Sequence, residues 1–372
     1  MTMRAADTWV VIVSGGSGFY NYALQSNAYH AYGVIRGHGV PQERVIMMAV
    51  DDLAFHDDNP FPGQIFNEAN GPDVYAGVSF DYREAEVTPA NFHAILRGDR
   101  SAVSGGSGRV LERPRRCGVY AMTAARADQL AFFTFCDLPV IRVCLATTFS
   151  HGWIVNSAEV CSKEERNNER LLQSDPTIET LEQQFRAVSE LVSGANVSDF
   201  GDRSIRSESI ALFQGGQKIG GTKNARDPKQ PAAYSQFTKD DVPLRFLESK
   251  LRDARQPADR RRLEAEIREL MAKRAFHDEH TNSLVRRLVD DEERVASIRR
   301  DVPAKVTQFD CHQAVVGTYH ERCFNLGTNP YAQRAARVLA ALCEDGHSTA
   351  AVLKAIDESC TPGDRSRPTG IH

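Results

Sequence analysis

Thiols, imidazoles and carboxylates are the side chains of this chain that could run covalent or acid–base chemistry, and their spacing decides which of them can meet. His151 and Cys161 each end an apolar run in PVIRVCLATTFSHGWIVNSAEVCS, an arrangement that could set an imidazole beside a thiolate nucleophile. Only ten residues separate them, which leaves no room for a helix between adjacent parallel strands. The spacing therefore favours ordinary surface and core roles for both over a dyad. Cys117, Cys136, Cys144 and Cys161 show no metal-ligand spacing and read as ordinary thiols. Cys311, Cys323, Cys343 and Cys360 form an even set in a helical region, which suits a disulfide framework in an oxidising compartment, with three pairings open. Asp51 and Asp52 at a strand end could bind a metal or orient a loop, but capping or solvated acids are the commoner outcome. Asn196-Val197-Ser198 is a glycosylation sequon that acts only in a secreted chain. Arg97-Gly98-Asp99 matches an adhesion triplet frequent by chance and reads better as a helix end. No metal and no cofactor is expected.

The elements that must position these groups begin with WVVIVSGGSGFYNYAL, Trp9 to Leu24. Trp9 to Val13 is a continuous apolar run ended by turn formers, the pattern of a strand covered on both faces in an α/β protein. Such sheets place ligands at strand carboxyl ends. Leu24, Ala28, Tyr32 and Ile35 recur at helical spacing until Gly37, Gly39 and Pro41 stop them, and Val45 to Ala49 makes a second strand, completing a right-handed β-α-β unit. Residues 55–87 read as a long surface loop, and Thr88-Pro89 starts a helix that Gly98 ends. Val119 to Ala125 is apolar; Phe132 to Cys144 and Trp153 to Val155 are apolar without clear period. Thr180 to Val192 reads as a helix, Ile210 to Phe213 as a last short strand, and Gln214 to Tyr234 as linker. From Leu244 the pattern is helical, with stripes at Leu263, Ile267, Leu270 and Met271, at Leu284, Val285, Leu288 and Val289, and at Tyr331, Ala335, Val338, Leu339 and Leu342.

With 372 residues the chain can hold two domains and a large core, and 41% hydrophobic with 25% charged residues is ordinary for a globular protein. A net charge of −4 makes no electrostatic case for nucleic acid or an anionic membrane. No run of about eighteen apolar residues predicts a membrane span, and the N-terminus lacks a signal-peptide pattern.

The stretches WVVIVSGGSGFYNY, QSNAYHAYGVIRGHGVP, DDLAFHDDNPFPGQIFNEANGPDVYAGVSFDYREAEVTPANFHAILRGD, GVYAMTAA and ALFQGG, with the helical tail KLRDARQPADRRRLEAEIRELM and its CFN…P-Y…LC…C pattern, resemble one family: the legumains, asparaginyl endopeptidases among the caspase-like cysteine proteases (peptidase family C13). A related transamidase catalytic subunit shares the N-terminal pattern but not the four-cysteine tail. The resemblance implies a caspase-like α/β/α sandwich over 8–215, a linker over 216–243, and an all-α prodomain-like domain over 244–372. It implies bridges Cys311–Cys343 and Cys323–Cys360, protein or peptide substrates cleaved after Asn, and a lysosomal, vacuolar or secreted location. In that family a histidine in a D-H-G turn and a cysteine in an E-A-C-E-S-G turn carry the reaction. Neither is present: between Leu111 and Val119 stands only ERPRRCG, where central strands and both turns belong, and a β-α-β unit takes about thirty residues or more. Of the motif Y-N-Y-R-H-Q, Asn21 retains the residue implied to orient the histidine, while Ala23 and Leu24 replace the arginine and histidine. Gly152 stands where the family has an acid before its tryptophan, and Arg255-Gln256 replace its asparagine processing site. Apolar replacements of buried polar groups should remove recognition of an asparagine side chain as well as the chemistry.

The sequence thus predicts a legumain-like endopeptidase relative inactive as written, whether through a genuine loss or an incompletely spliced gene product. The alternative is a non-catalytic binding module whose helical tail inhibits or regulates an active homologue. With central strands deleted, the N-terminal domain is expected to be compromised beside a sound tail.

Overall fold

The computed structural model describes residues 8–112, 118–126, 128–159, 179–216, 235–301, 303, 305–360 and 368–372. The chain divides into two compact units, one of residues 1–125 and 130–239 and one of residues 126–129 and 240–372.

In the first unit β1 (Val10–Ser14), α1 (Tyr22–Gly37) and β2 (Val45–Ala49) form the expected β-α-β unit, with β1 parallel to β2 in the register Val10 opposite Val45 through Ser14 opposite Ala49. β3 (Tyr82–Arg83) adds to the far side of β2. The two long strands differ sharply. All five residues of β2 are buried, whereas β1 is only half-buried and Val13 is 42% exposed. The expectation that β1 is covered on both faces is therefore corrected. β2 lies between two strands, but among the described residues β1 has a strand partner on one side only, so it forms an open parallel edge.

α2 (Pro89–Arg97) follows from its caps. Thr88 Oγ1 accepts the Asn91 N–H at 3.1 Å, Pro89 occupies the first turn where a missing N–H costs nothing, and Gly98 closes the helix at φ 70°. Asp99 then folds back on Ser101 and Ala102, so Arg97-Gly98-Asp99 is a helix terminus. α2 seats Ile95 in a core with Ile46, Met48, Tyr82 and Val110. The chain leading to the junction stays on that core, Leu111 N–H donating to Ile95 O at 3.1 Å.

Beyond the junction the strands do not rejoin this sheet. β4 (Tyr120–Thr123) pairs antiparallel with β7 (Ser198–Gly201) as a separate ribbon. β5 (Phe132–Thr134), β6 (Ala146–Thr147) and β8 (Phe237–Thr238) form a third, antiparallel sheet. Phe133 faces Thr147 and Thr134 faces Ala146, and the same register carried two residues on sets Cys136 opposite Cys144. These two are bridged, Cα–Cα 4.0 Å, which corrects their reading as ordinary thiols. Two further expectations change. α3 (Thr148–Glu159) takes in His151 and Trp153 to Val155 as one helix, and Ile210 to Phe213 is not a strand, since α5 (Ala211–Gln214) is a single helical turn. α4 (Leu181–Leu191) starts at a capping box between Thr180 and Gln183. β8 falls in the stretch read as linker, of which residues 217–234 lie outside the described residues.

The second unit is helical: α6 (Asp241–Asp253), α7 (Pro257–Arg286), α8 (Glu292–Arg300), α9 (Phe309–Arg322), α10 (Ala335–Glu344) and α11 (Thr349–Ser359). Leu284, Val285, Val295, Val315, Tyr319, Leu339, Leu342, Val352 and Ile356 share one core. Cys311–Cys343 ties α9 to α10 and Cys323–Cys360 joins the C-terminal ends of α9 and α11, with Cα–Cα 6.0 and 5.0 Å. No helix among the described residues is long and apolar enough to cross a membrane.

One side chain fixes the loops at the carboxyl ends of β1 and β2. Gln25 on α1 is fully buried. Its Nε2 donates to Gly16 O at 2.8 Å and Asp52 Oδ1 at 2.6 Å, and its Oε1 accepts Tyr29 O–H at 2.7 Å and Asp51 N–H at 3.0 Å. Both donors and both lone pairs are used. Gln25→Leu would orphan several of these groups, each at about 1–3 kcal/mol, so urea unfolding should show the first unit destabilised by about 3 kcal/mol. A loss below about 1 kcal/mol would show that the loops hold themselves. Hydrogen exchange should also separate the strands, with β1 amides exchanging well before those of β2; equal protection would mean that the β1 edge is covered.

Candidate active site

The loop after β1 is shaped by close approach. A Cβ on Gly16 would sit 2.8 Å from Leu24 Cδ1 and 3.1 Å from Asn21 Cβ, and Gly18 holds φ 78°. Asp52 Oδ2 accepts the Gly18 N–H at 2.7 Å, so the second of the paired acids ties this loop to β2. Asp51 adopts φ 59° and pairs with Arg83 at 3.3 Å. Burial pushes its carboxyl up, against the opposing pull of Tyr75 and Arg83. The acid pair thus orients loops.

Asn21 sits at the start of α1 with Ala23 and Leu24 just beyond it. The Asn21 amide is buried and Nδ2 donates to Ser17 O at 2.7 Å, bracing the Gly/Ser loop. Ala23 is fully buried and presents only a methyl group, and Leu24 packs its side chain against Gly16. These three positions come together at one end of the sheet, yet they offer no charged group to an incoming side chain.

Gly152 does not join them as a polar position. It lies within α3, where a Cβ would meet Leu191, Val188 and Val192 at 3.4–3.8 Å, so it serves close packing of α3 on α4. Trp153 beside it packs against Val188, Val192 and Val197. His151, on the same helix, is 2% exposed, meets the Phe135 ring at a centroid distance of 4.8 Å, and lies 3.6 Å from Glu68 Oε2 without a hydrogen bond at Nε2. His151 thus holds a buried place within a helix. Cys161, its suggested partner, lies outside the described residues, as does Cys117. The six cysteines that are described all lie in bridges, so no free thiol is found among the described residues. Asn196 is exposed just before β7.

Sequence reasoning passed over a polar cluster on α1. Asn67 is fully buried and donates from Nδ2 to Asn27 Oδ1 at 2.9 Å, Ser26 Oγ at 3.1 Å and Leu145 O at 3.2 Å, while its Oδ1 lies 2.9 Å from His30 Nδ1. Burial pushes the His30 imidazole below its ordinary value, the hydrogen bond to Asn67 opposing. Gln25-Ser26-Asn27 inside an otherwise apolar helical face is the signal that could have pointed to it. With no free thiol beside them among the described residues, the His30 imidazole and these amides form a structural network.

Comparison with known proteins places this geometry. The peptidase C13 family model matches residues 8–116 and again 111–216, and the legumain prodomain model matches 265–360. Legumain of Rattus norvegicus is 31% identical over 404 aligned positions, covering 95% of this chain and 92% of the relative. Hemoglobinase of Schistosoma mansoni is 26% identical over 96% of the chain and 93% of the relative. Vacuolar-processing enzyme of Phaseolus vulgaris is 25% identical over 95% and 85%. Since 95% of 372 residues is about 353, about 51 of the 404 positions aligned with the rat protein find no residue here. The two matches to the peptidase region meet at 111–116, at the junction between the α2 core and β4. The chain belongs to the legumain family of C13 peptidases and carries both the peptidase region and the prodomain of that family.

Proposed function

We propose that this chain is a legumain-family protein that does not itself hydrolyse peptide bonds. The observation that carries the reading is the family match broken in two at 111–116, with about 51 positions of the rat relative unanswered. The seven residues ERPRRCG are too few to supply two strand-turn motifs. A thiol protease needs its nucleophile and base in contact, and neither binding nor acid–base help replaces them. Support also comes from the changed pocket positions. Ala23 and Gly152 are engaged in packing, so a bound asparagine side chain would lack partners for its amide. Three bridges suit an oxidising, secretory or lysosomal–vacuolar compartment, the exposed Asn196 sequon suits the same route, and one relative is named for vacuolar processing. Proteins or peptides are the partners such a family member would meet.

The second reading, a binding module that docks its helical tail on an active homologue, is favoured by the tail's own core and its two bridges. Protein association of this kind needs a preformed surface more than chemistry.

Two measurements test these readings. Incubated at acid pH with an Asn-containing fluorogenic peptide, the full chain should release no fluorophore above a blank; Asn-specific turnover would refute the first reading. Titrated into an active legumain, the full chain should reduce peptide cleavage with nanomolar affinity if the second holds, and unchanged cleavage at micromolar concentrations would remove it.

A further inference from the structure

The second unit contains a cavity of about 270 Å³ that the peptidase chemistry does not touch, walled by α7, α8 and the start of α10. Four arginines line it: Arg299 and Arg300 from α8 and Arg334 just before α10, all three exposed, and the half-buried Arg337 within α10. Asp278 is the single acid in its lining, and its Oδ2 already accepts the Tyr331 O–H at 3.0 Å. Arg300 is paired with Asp301 at 3.0 Å, and Arg334 engages Tyr331 and, at 3.7 Å, Asp240. Arg299 and Arg337 have no carboxylate partner among the described residues.

Two side chains that line this cavity each keep one polar atom, shielded behind its surface, without a hydrogen bond. Arg337 Nε is shielded from solvent and makes no hydrogen bond. His277 is 1% exposed; its Nε2 meets Tyr319 Oη at 3.2 Å, but Nδ1 has no hydrogen-bond partner and stands 3.6 Å from Asp278 Oδ1. Two of the four arginines, Arg299 and Arg337, thus bring positive charge to the cavity with no counter-charge of their own, and like charges repel. A multivalent anion would supply that counter-charge. The planar fork of arginine matches tetrahedral oxyanions by paired hydrogen bonds, which a monatomic ion such as chloride cannot return. At about 270 Å³ the cavity lies near the lower end of small-molecule sites, which suits a compact group.

We propose that this cavity is a binding site for a tetrahedral dianion, the phosphate or sulfate group of a small ester, gripped by Arg299 and Arg337 with Arg300 and Arg334 alongside.

The probe is inorganic phosphate, read by ³¹P relaxation against the full chain at fixed ionic strength with chloride as balance, so that general screening is constant. The unaltered chain should give saturable broadening, and sulfate should compete. If sulfate competes as well as phosphate, the site takes either ester; if only phosphate saturates, the source is a phosphate ester. Arg299→Gln with Arg337→Gln should weaken binding by about tenfold or more, and Arg337→Lys, which keeps charge but loses the fork, by less. Near-native circular dichroism would show that the variants fold. Broadening that rises linearly without saturation, or a folded double variant that binds within about twofold of its parent, overturns the proposal. The saturation result on the unaltered chain decides the matter if the double variant does not fold.

Discussion

Four hydrogen bonds on one buried glutamine hold together the loop end of the first sheet. Gln25 belongs to α1, Gly16 follows β1, and Asp51 and Asp52 follow β2, so a single side chain joins three elements at the place where α/β sheets present their working groups. Tyr29, whose hydroxyl burial keeps protonated far beyond its ordinary range, supplies the fourth bond. Asp52 relays the arrangement to Gly18, and Asn21 closes the Gly/Ser loop on Ser17. Since an unmet buried amide costs more than a met one gains, this network constrains by penalty. The loops stay placed although the pocket positions beside them are occupied by Ala23 and Leu24.

What the network cannot do is supply a neighbour for β1. β2 is buried because it has strands on both sides and α2 packs through Ile95 on its core, whereas β1 carries an exposed Val13 and an edge without a strand among the described residues. Among the described residues the sheet therefore stops at β1. β4 finds its hydrogen bonds in β7 instead, antiparallel and in a separate ribbon. That pairing is antiparallel and makes no demand on the connection that precedes β4.

Local rules made much of this legible. Thr88, Pro89 and Gly98 specify α2 because capping and backbone constraints act within a few residues, and the apolar stripes of the tail specify its helices because one face repeats every three or four residues. α3 escaped because Phe149, Gly152, Trp153 and Ile154 do not separate into a wet and a dry face. The helix is covered by α1 and α4, and periodicity carries information only when one side meets water. The Cys136–Cys144 bridge depends on the register of β5 with β6, a contact fixed only once the hairpin forms. Ile210 to Phe213 was too short for propensity to choose between turn and strand. In the candidate site, Asn21, Ala23 and Leu24 could be found from motif order, but the roles of Gln25 and Asn67 required knowing what lies across the helix.

The two units also differ in how loss of chain affects them. A parallel sheet is a non-local structure: each inner strand needs neighbours from distant sequence, so any change in chain length far from a strand can leave it at an edge. The helical unit satisfies its backbone within each helix, and a large core cluster of it comes from residues 284–371. Its bridges span 32 and 37 residues, each restricting the unfolded chain by about 4 kcal/mol on the loop-entropy account. Nothing in that stabilisation passes through the altered junction. The helical unit therefore keeps its packing whatever happens at the junction between Leu111 and Val119, and any function that needs only its surface remains physically available.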